Sequence, residues 1–118
     1  MIQQRVFQAA VRREREMAVI DLHGEINSFA EEALNAAYAE AVRDTPSAVL
    51  LNFSDVDYIN STGSALIVGL LAQARKVRFP LLTCGLSDHY QEIFRITRLS
   101  DFMAMYPDEA SALEQVQG

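Results

Sequence analysis

The sequence predicts an α/β fold: a mixed sheet of four or five strands, an N-terminal hairpin followed by parallel strands, with flanking helices. Three observations carry this. Two extended runs flank a charged stretch within residues 5–22, the pattern of a hairpin. Ala48–Phe53 and Pro80–Cys84 are short and apolar almost throughout, as strands covered on both faces of a parallel sheet are. Segments with apolar residues at helical spacing separate the strands. The order is β-β-α-β-α-β-α-β-α, and right-handed crossovers then make the sheet mostly parallel.

The elements follow in order. Val6, Ala10 and their neighbours give a weak strand over 5–12. Arg12-Arg13-Glu14-Arg15-Glu16 reads as a solvated, charged turn that could also touch a partner. Met17–Leu22, rich in Val and Ile, is the second strand, and Gly24 ends it. Ser28-Phe29-Ala30-Glu31 fits a capping box, in which the Ser serves one N–H and the Glu reaches back to the cap. The helix behind it carries Ala30, Ala33, Leu34, Ala37, Tyr38, Ala41 and Val42 at helical spacing, and Asp44-Thr45-Pro46-Ser47 breaks it. After the Ala48–Phe53 strand, Asp55–Asn60 reads as a loop. Ser61 or Thr62 starts the next helix, with Leu66, Gly69, Leu70 and Val77 along one stripe. Arg75, Lys76 and Arg78 suit its negative end. Ser87 caps a helix running to about Ile96, with Ile93 and Phe94 facing the core. A short extended piece near Phe102–Met105 follows. Pro107 then suits a first helical position, and Asp108–Val116 closes the chain as a helix.

Length and composition bound the rest. A chain of 118 residues fits one domain spanning 1–118, and half of its residues are hydrophobic, enough for a core. Its formal net charge is −6. That balance argues against direct nucleic-acid binding, which uses a basic face, and against docking on anionic lipid. A partner with a basic surface would be steered toward it. The lone Cys84 cannot form an intramolecular disulfide and suits a reducing cytoplasm. Met1–Met17 has no apolar segment like a signal peptide. The most apolar run, Ala65–Ala72, is too short to span a bilayer. These features point to a cytoplasmic protein without membrane insertion. They leave its oligomeric state open.

Asp55-Val-Asp-Tyr-Ile-Asn-Ser-Thr-Gly63 joins a buried-type strand to an apolar helix. The junction puts the Ser61 hydroxyl at the positive end of a helix dipole, where free backbone N–H groups favour a negative group. The ordinary role of such a serine is a helix cap worth about 1 kcal/mol, which Thr62 could share. A phosphate there would add about −1.5 to −2 charges at a place that tolerates them.

Asp57-Tyr58-Ile59-Asn60-Ser61-Thr62-Gly63 resembles the signature loop of the STAS domain of anti-sigma factor antagonists. Leu22-His23-Gly24-Glu25-Ile26-Asn27 is similar to that family's strand end before its first helix. Ala48–Phe53 resembles the strand leading into the signature loop, and Phe102 to Leu113 its closing strand and helix. The resemblance implies a STAS-like fold and a non-enzyme that works by binding. Small members of the family bind an anti-sigma factor, a serine kinase with a GHKL-type ATP site, and so free a sigma factor. The kinase phosphorylates the serine matched here by Ser61, with Thr62 as second choice. The complex then weakens, and a phosphatase reverses the step. The docking surface implied is Asn27, Tyr58, Asn60, Ser61, Thr62, Gly63 and Ser64. Asn60 stands where the family often has an acid, Asn27 where it commonly has Asp, and Gly63-Ser64-Ala65 where Gly-Leu-Gly is usual. Asn27 and Asn60 follow strand ends on one side of a parallel sheet, so they are expected close together. The alternative the family offers is a STAS scaffold or regulatory subunit of a stress-sensing or transporter complex, without phosphoswitching.

The remaining candidates have ordinary readings. Asp55 and Asp57 could suggest a Mg²⁺ pair, but loop acids commonly bond nearby backbone amides. Asn52 reads as a satisfied strand-end amide and Cys84 as a buried, inert thiol. His23 and His89 have no further ligand at zinc spacing. Leu66–Leu71 reads as core. There is no Gly-x-Ser-x-Gly elbow and no Gly-rich phosphate loop with a Lys. The sequence therefore predicts no catalytic residues, cofactor or metal.

Overall fold

The computed structural model describes residues 6–116; residue 5, where the first strand is expected to begin, lies outside them. Five strands form one sheet in chain order: β1 (Gln8–Glu14), β2 (Met17–Ile26), β3 (Ala48–Ile59), β4 (Leu81–Cys84) and β5 (Ala104–Tyr106). β1 runs antiparallel to β2, and every later pair is parallel. Helices α1 (Glu31–Val42), α2 (Ser61–Lys76), α3 (Asp88–Ile96) and α4 (Glu109–Val116) take the predicted places between and after the strands.

The apolar strands are covered on both faces. Ile20 and Leu22 of β2 and Val49, Leu51 and Phe53 of β3 pack against Leu34 and Tyr38 of α1, Ile67 and Leu70 of α2, and Phe94 of α3. The Phe53 and Phe94 rings meet edge to face, centroids 6.1 Å apart. On the other face Met17, Val19, Leu50, Leu82 and Cys84 lie under Ala112 and Leu113 of α4. Cys84 is buried, and that burial pushes its thiol pKa up to about 12. It is held as a thiol, as the sequence suggests.

Several expectations need correction. Gly24 does not end β2. It sits at φ +90° while the pairing with β3 continues through two register shifts to Ile26↔Ile59, so it makes an irregularity and not a stop. The 55–60 segment is correspondingly strand through Ile59, and Asn52 lies within β3. The Ser28–Glu31 box is not used. Asn27 is the cap, and it opens a single 3-10 turn, Ser28–Ala30, ahead of α1. On α1, Ala33 faces solvent. On α2 the buried face is Gly63, Ile67, Leu70, Leu71 and Ala74, whereas Gly69 and Val77 are exposed and Leu66 is half-buried. The 65–72 run is apolar nearly all round, so periodicity did not single out a face. Pro107 lies outside α4, whose cap is Asp108, accepting from the Ser111 N–H at 2.8 Å.

The charged turn is narrower than expected. The chain reverses at Arg15-Glu16, and Arg12, Arg13 and Glu14 belong to β1. Arg13 donates to the Ala41 and Glu40 carbonyls at 2.7 and 3.0 Å, closing the C-terminal end of α1. Arg12 is not a solvated turn residue. Its Nη2 donates to Asp21 Oδ1 at 2.9 Å and its Nη1 to Glu109 Oε2 at 3.1 Å, tying β1, β2 and α4 together. Asn52 Nδ2 also donates to Asp21, at 2.8 Å, and Asn52 Oδ1 accepts from the Ser54 N–H and hydroxyl. The amide is satisfied, as expected.

Arg12 holds the Asp21 carboxyl below its ordinary value, with burial opposing. A carboxylate with a lowered folded-state pKa adds stability that is present above its unfolded value, 3.8, and lost as pH falls through the folded value. Arg12→Ala is therefore expected to cost about 1 kcal/mol at neutral pH. The figure is modest because the guanidinium keeps a third of its surface and water screens the pair. Urea titrations at pH 7 and at about pH 2.5 check this: the gap between variant and parent should shrink in acid.

Candidate functional site

β2 and β3 end side by side. Ile26 pairs with Ile59, and the Asn60 N–H donates to the Ile26 carbonyl at 3.2 Å. Asn27 and Asn60 thus leave the sheet together, as the topology suggests, and each turns at once into a cap. Asn27 Oδ1 accepts from the Phe29 N–H at 2.9 Å, and Asn60 Oδ1 from the Gly63 N–H at 2.8 Å. Asn serves a cap as well as Asp does, so both positions keep that role without the charge.

Ser61 is therefore not the cap. It is the first residue of α2, exposed, and its hydroxyl makes no hydrogen bond among the described residues. The Gly63 N–H goes to the Asn60 side chain and the Ser64 N–H to the Asn60 carbonyl at 2.9 Å. The Ser61 and Thr62 N–H groups remain at the positive end of a 16-residue helix whose first turn holds no acid. Thr62 is exposed beside Ser61, Ser64 is half-buried, and Tyr58 is half-exposed on β3 opposite Glu25. Gly63 differs from the rest of the predicted surface. It is buried, and a Cβ there would stand 2.0 Å from the Ile26 carbonyl oxygen. It is the point where α2 presses on the end of β2.

Two residues at this end went unread in the sequence. Tyr90 of α3 accepts the Ile59 N–H at 2.8 Å and so pins the residue before Asn60. The amphipathic pattern of α3 was the only signal for it. Phe29 is 90% exposed, in the turn between Asn27 and α1. The turn touches α2.

Charge is segregated. Glu25, Glu31, Glu32, Asp57 and Asp88 lie at this end, and between residues 16 and 74 the sole Lys or Arg is Arg43 at the far end of α1. Asp55 is not a loop acid: it faces His23 across the strands, Oδ2 to Nδ1 at 2.6 Å. No three His, Cys, Asp or Glu side chains gather as metal ligands among the described residues. His89 stands edge-on to Tyr90, centroids 4.9 Å apart. A hollow of about 440 Å³, lined by Arg13, Arg15, Met17 and Pro46, opens at the opposite end of the sheet. One of about 110 Å³ near Ile59 and Tyr90 is small for an organic ligand. No helix among the described residues is long and apolar enough to cross a membrane.

A family model for the STAS domain matches residues 8–112. The chain belongs to the STAS domain family. BtrV of Bordetella bronchiseptica, named as a candidate anti-sigma factor antagonist, is 33% identical over 91 residues, 77% of this chain and 76% of BtrV. The anti-sigma F factor antagonist of Lysinibacillus sphaericus is 26% identical over 105 residues, 88% and 89% of the two chains. The STAS sheet is shared with the Bacillus cell fate determinant SpoIIAA in its phosphorylated form. The TM-score is 0.70 and the identity 24%, over 94% and 99% of the chains. A sulfate transporter family protein from Wolinella succinogenes has the same fold, with a TM-score of 0.76 and 16% identity over 88% and 87%.

Proposed function

We propose that this STAS protein is an anti-sigma factor antagonist of the cytoplasm whose docking surface is switched at Ser61. With the hydroxyl free, the end of the molecule bearing Asn27, Tyr58, Asn60, Ser61, Thr62 and Ser64 docks on an anti-sigma factor that is also a serine kinase, and a sigma factor is released. The kinase transfers the γ-phosphoryl of ATP to Ser61 Oγ as the bond from Pγ to the bridging oxygen breaks; ADP leaves, the hydroxyl proton is released, and the complex weakens. A phosphatase restores the hydroxyl. In this cycle the protein is a kinase substrate and carries no catalytic group of its own. The observation that carries the reading is the assignment of the cap. Asn60 serves the helix end, so Ser61 Oγ stands exposed and unengaged beside two free N–H groups. The fold alone is also that of a transporter-associated protein. The names of the two sequence relatives favour the antagonist over a scaffold or transporter subunit.

Incubation with the kinase and ATP, followed by mass spectrometry, tests the site. One phosphate is expected on the parent and on Thr62→Ala, and none on Ser61→Ala. A phosphate that persists in Ser61→Ala and maps to Thr62 would overturn the assignment.

A further inference from the structure

We infer that Phe29 is the apolar anchor of the Ser61 surface, and that it enters a hydrophobic socket rimmed by Lys or Arg on the protein that docks there. The inference rests on the docking reading above and adds the chemistry of the partner. The ring is 90% exposed, the most of any large hydrophobic side chain among the described residues. The backbone that carries it is fixed. Its own N–H is held by Asn27 Oδ1, and the next residue, Ala30, is completely buried and fixes which side of the turn faces the core. The side chain is thus presented outward from a rigid turn, so little ordering is lost when it binds. A large aromatic entering a pocket near the centre of an interface is the usual form of a binding hot spot.

Its place and surroundings say what covers it. The turn carrying it leaves β2 at Ile26, which pairs with Ile59 and lies against Gly63 of α2, so Phe29 stands at the same end of the molecule as Ser61 and Tyr58. By contrast Val77, Ile96 and Phe102 lie at the other ends of α2 and α3. Glu31 and Glu32 follow it directly, Glu25 precedes it, and no Lys or Arg stands near it in the chain. Complementarity then asks for a basic rim around an apolar socket. Ser61, in turn, faces the nucleotide phosphates, since it must reach the transferred group. The two residues have separate tasks. Phe29 sets how tightly the partner holds, and the state of Ser61 sets whether it holds.

The test uses full-length protein and the purified anti-sigma kinase, measuring Kd and the KM and kcat of phosphate transfer to Ser61. Phe29→Ala is expected to raise Kd and KM ten- to a hundredfold. The kcat should stay within about twofold and the melting temperature should not change, because the ring packs on little in this chain. Phe29→Leu should recover part of the affinity. If Phe29→Ala binds like the parent while Ser61→Asp still releases the kinase, the anchor is wrong and the docking reading stands. A kcat that falls with KM unchanged also overturns the anchor. Parent protein that neither binds nor accepts phosphate overturns the docking reading and the anchor with it. A concentration-dependent dimer of the parent that Phe29→Ala abolishes would assign the ring to a second copy of this chain instead.

Discussion

Gly63→Ala is expected to be strongly destabilising. The added carbon would stand 2.0 Å from the Ile26 carbonyl oxygen and 2.7 Å from its carbon. Both are backbone atoms at the end of a central strand, so no rotamer change relieves the overlap. α2 must back away by about an ångström, and Ile67 and Leu70, on the same buried face, are drawn with it. The Asn60–Gly63 cap is stretched at the same time. Overpacking against fixed backbone together with a lost cap costs about 3 kcal/mol. In a chain of this size that lowers the melting temperature by about 10 °C or more. Gly69 supplies the control. It lies in the same helix with nothing within 4 Å of its added carbon, so Gly69→Ala should stabilise by up to about 1 kcal/mol. Calorimetry on the pair decides the point. A Gly63→Ala protein as stable as the parent would mean that α2 does not press on β2. Loss of partner binding in that variant reports on the fold, which removes Gly63 from the residues that contact a partner directly.

The order of elements was legible because each helix start is marked by Asn, Ser or Asp and because the inner strands are apolar on both faces. Its details were less so, for identifiable reasons. Asp-Val-Asp-Tyr over 55–58 looks like loop because half of it is charged, yet β2 runs past Gly24 and supplies the partner strand that keeps it extended. The sequence offers Ser28 as the cap, but β2 pairs with β3 as far as Ile26, so Asn27 is the first residue off the strand and its side chain takes the Phe29 N–H. The ion pairs of Arg12 join residues 97 apart in sequence, beyond any local pattern. At the candidate site the sequence places Ser61 at the start of a helix, and the structure has it as the first residue of α2; the local details differ. Ser61 was given the cap that Asn60 makes. Gly63 was counted as surface although it is buried. Nothing in the local pattern marks Phe29 as exposed, because the side its residue faces depends on how the turn leaves β2.

Ser61→Asp is expected to release the kinase while leaving the scaffold intact. The two effects separate because the helix end and the interface respond oppositely to the same charge. At the helix end a carboxylate meets the free Ser61 and Thr62 N–H groups, with no other acid in the first turn and Arg75 and Lys76 in the last. Charge of that sign at that end stabilises by about 0.3–1 kcal/mol, so the melting temperature should hold or rise slightly. In the interface the carboxylate must shed water. It would also add to the acidic field of Glu25 and Asp57, and in the proposed docking it would stand opposite nucleotide phosphates that repel an anion and not a hydroxyl. A tenfold loss of affinity requires only about 1.4 kcal/mol. The true phosphate, with its larger charge and three acceptor oxygens, should exceed it. Ser61→Ala supplies the comparison, since it should bind the kinase as tightly as the parent and resist release by ATP. Titration calorimetry for affinity and scanning calorimetry for stability give both halves of the prediction on the same samples. If Ser61→Asp loses binding only together with several degrees of melting temperature, then the charge acts by loosening α2 and not by refusing the partner. In that case an order–disorder change at the helix start would replace the surface switch.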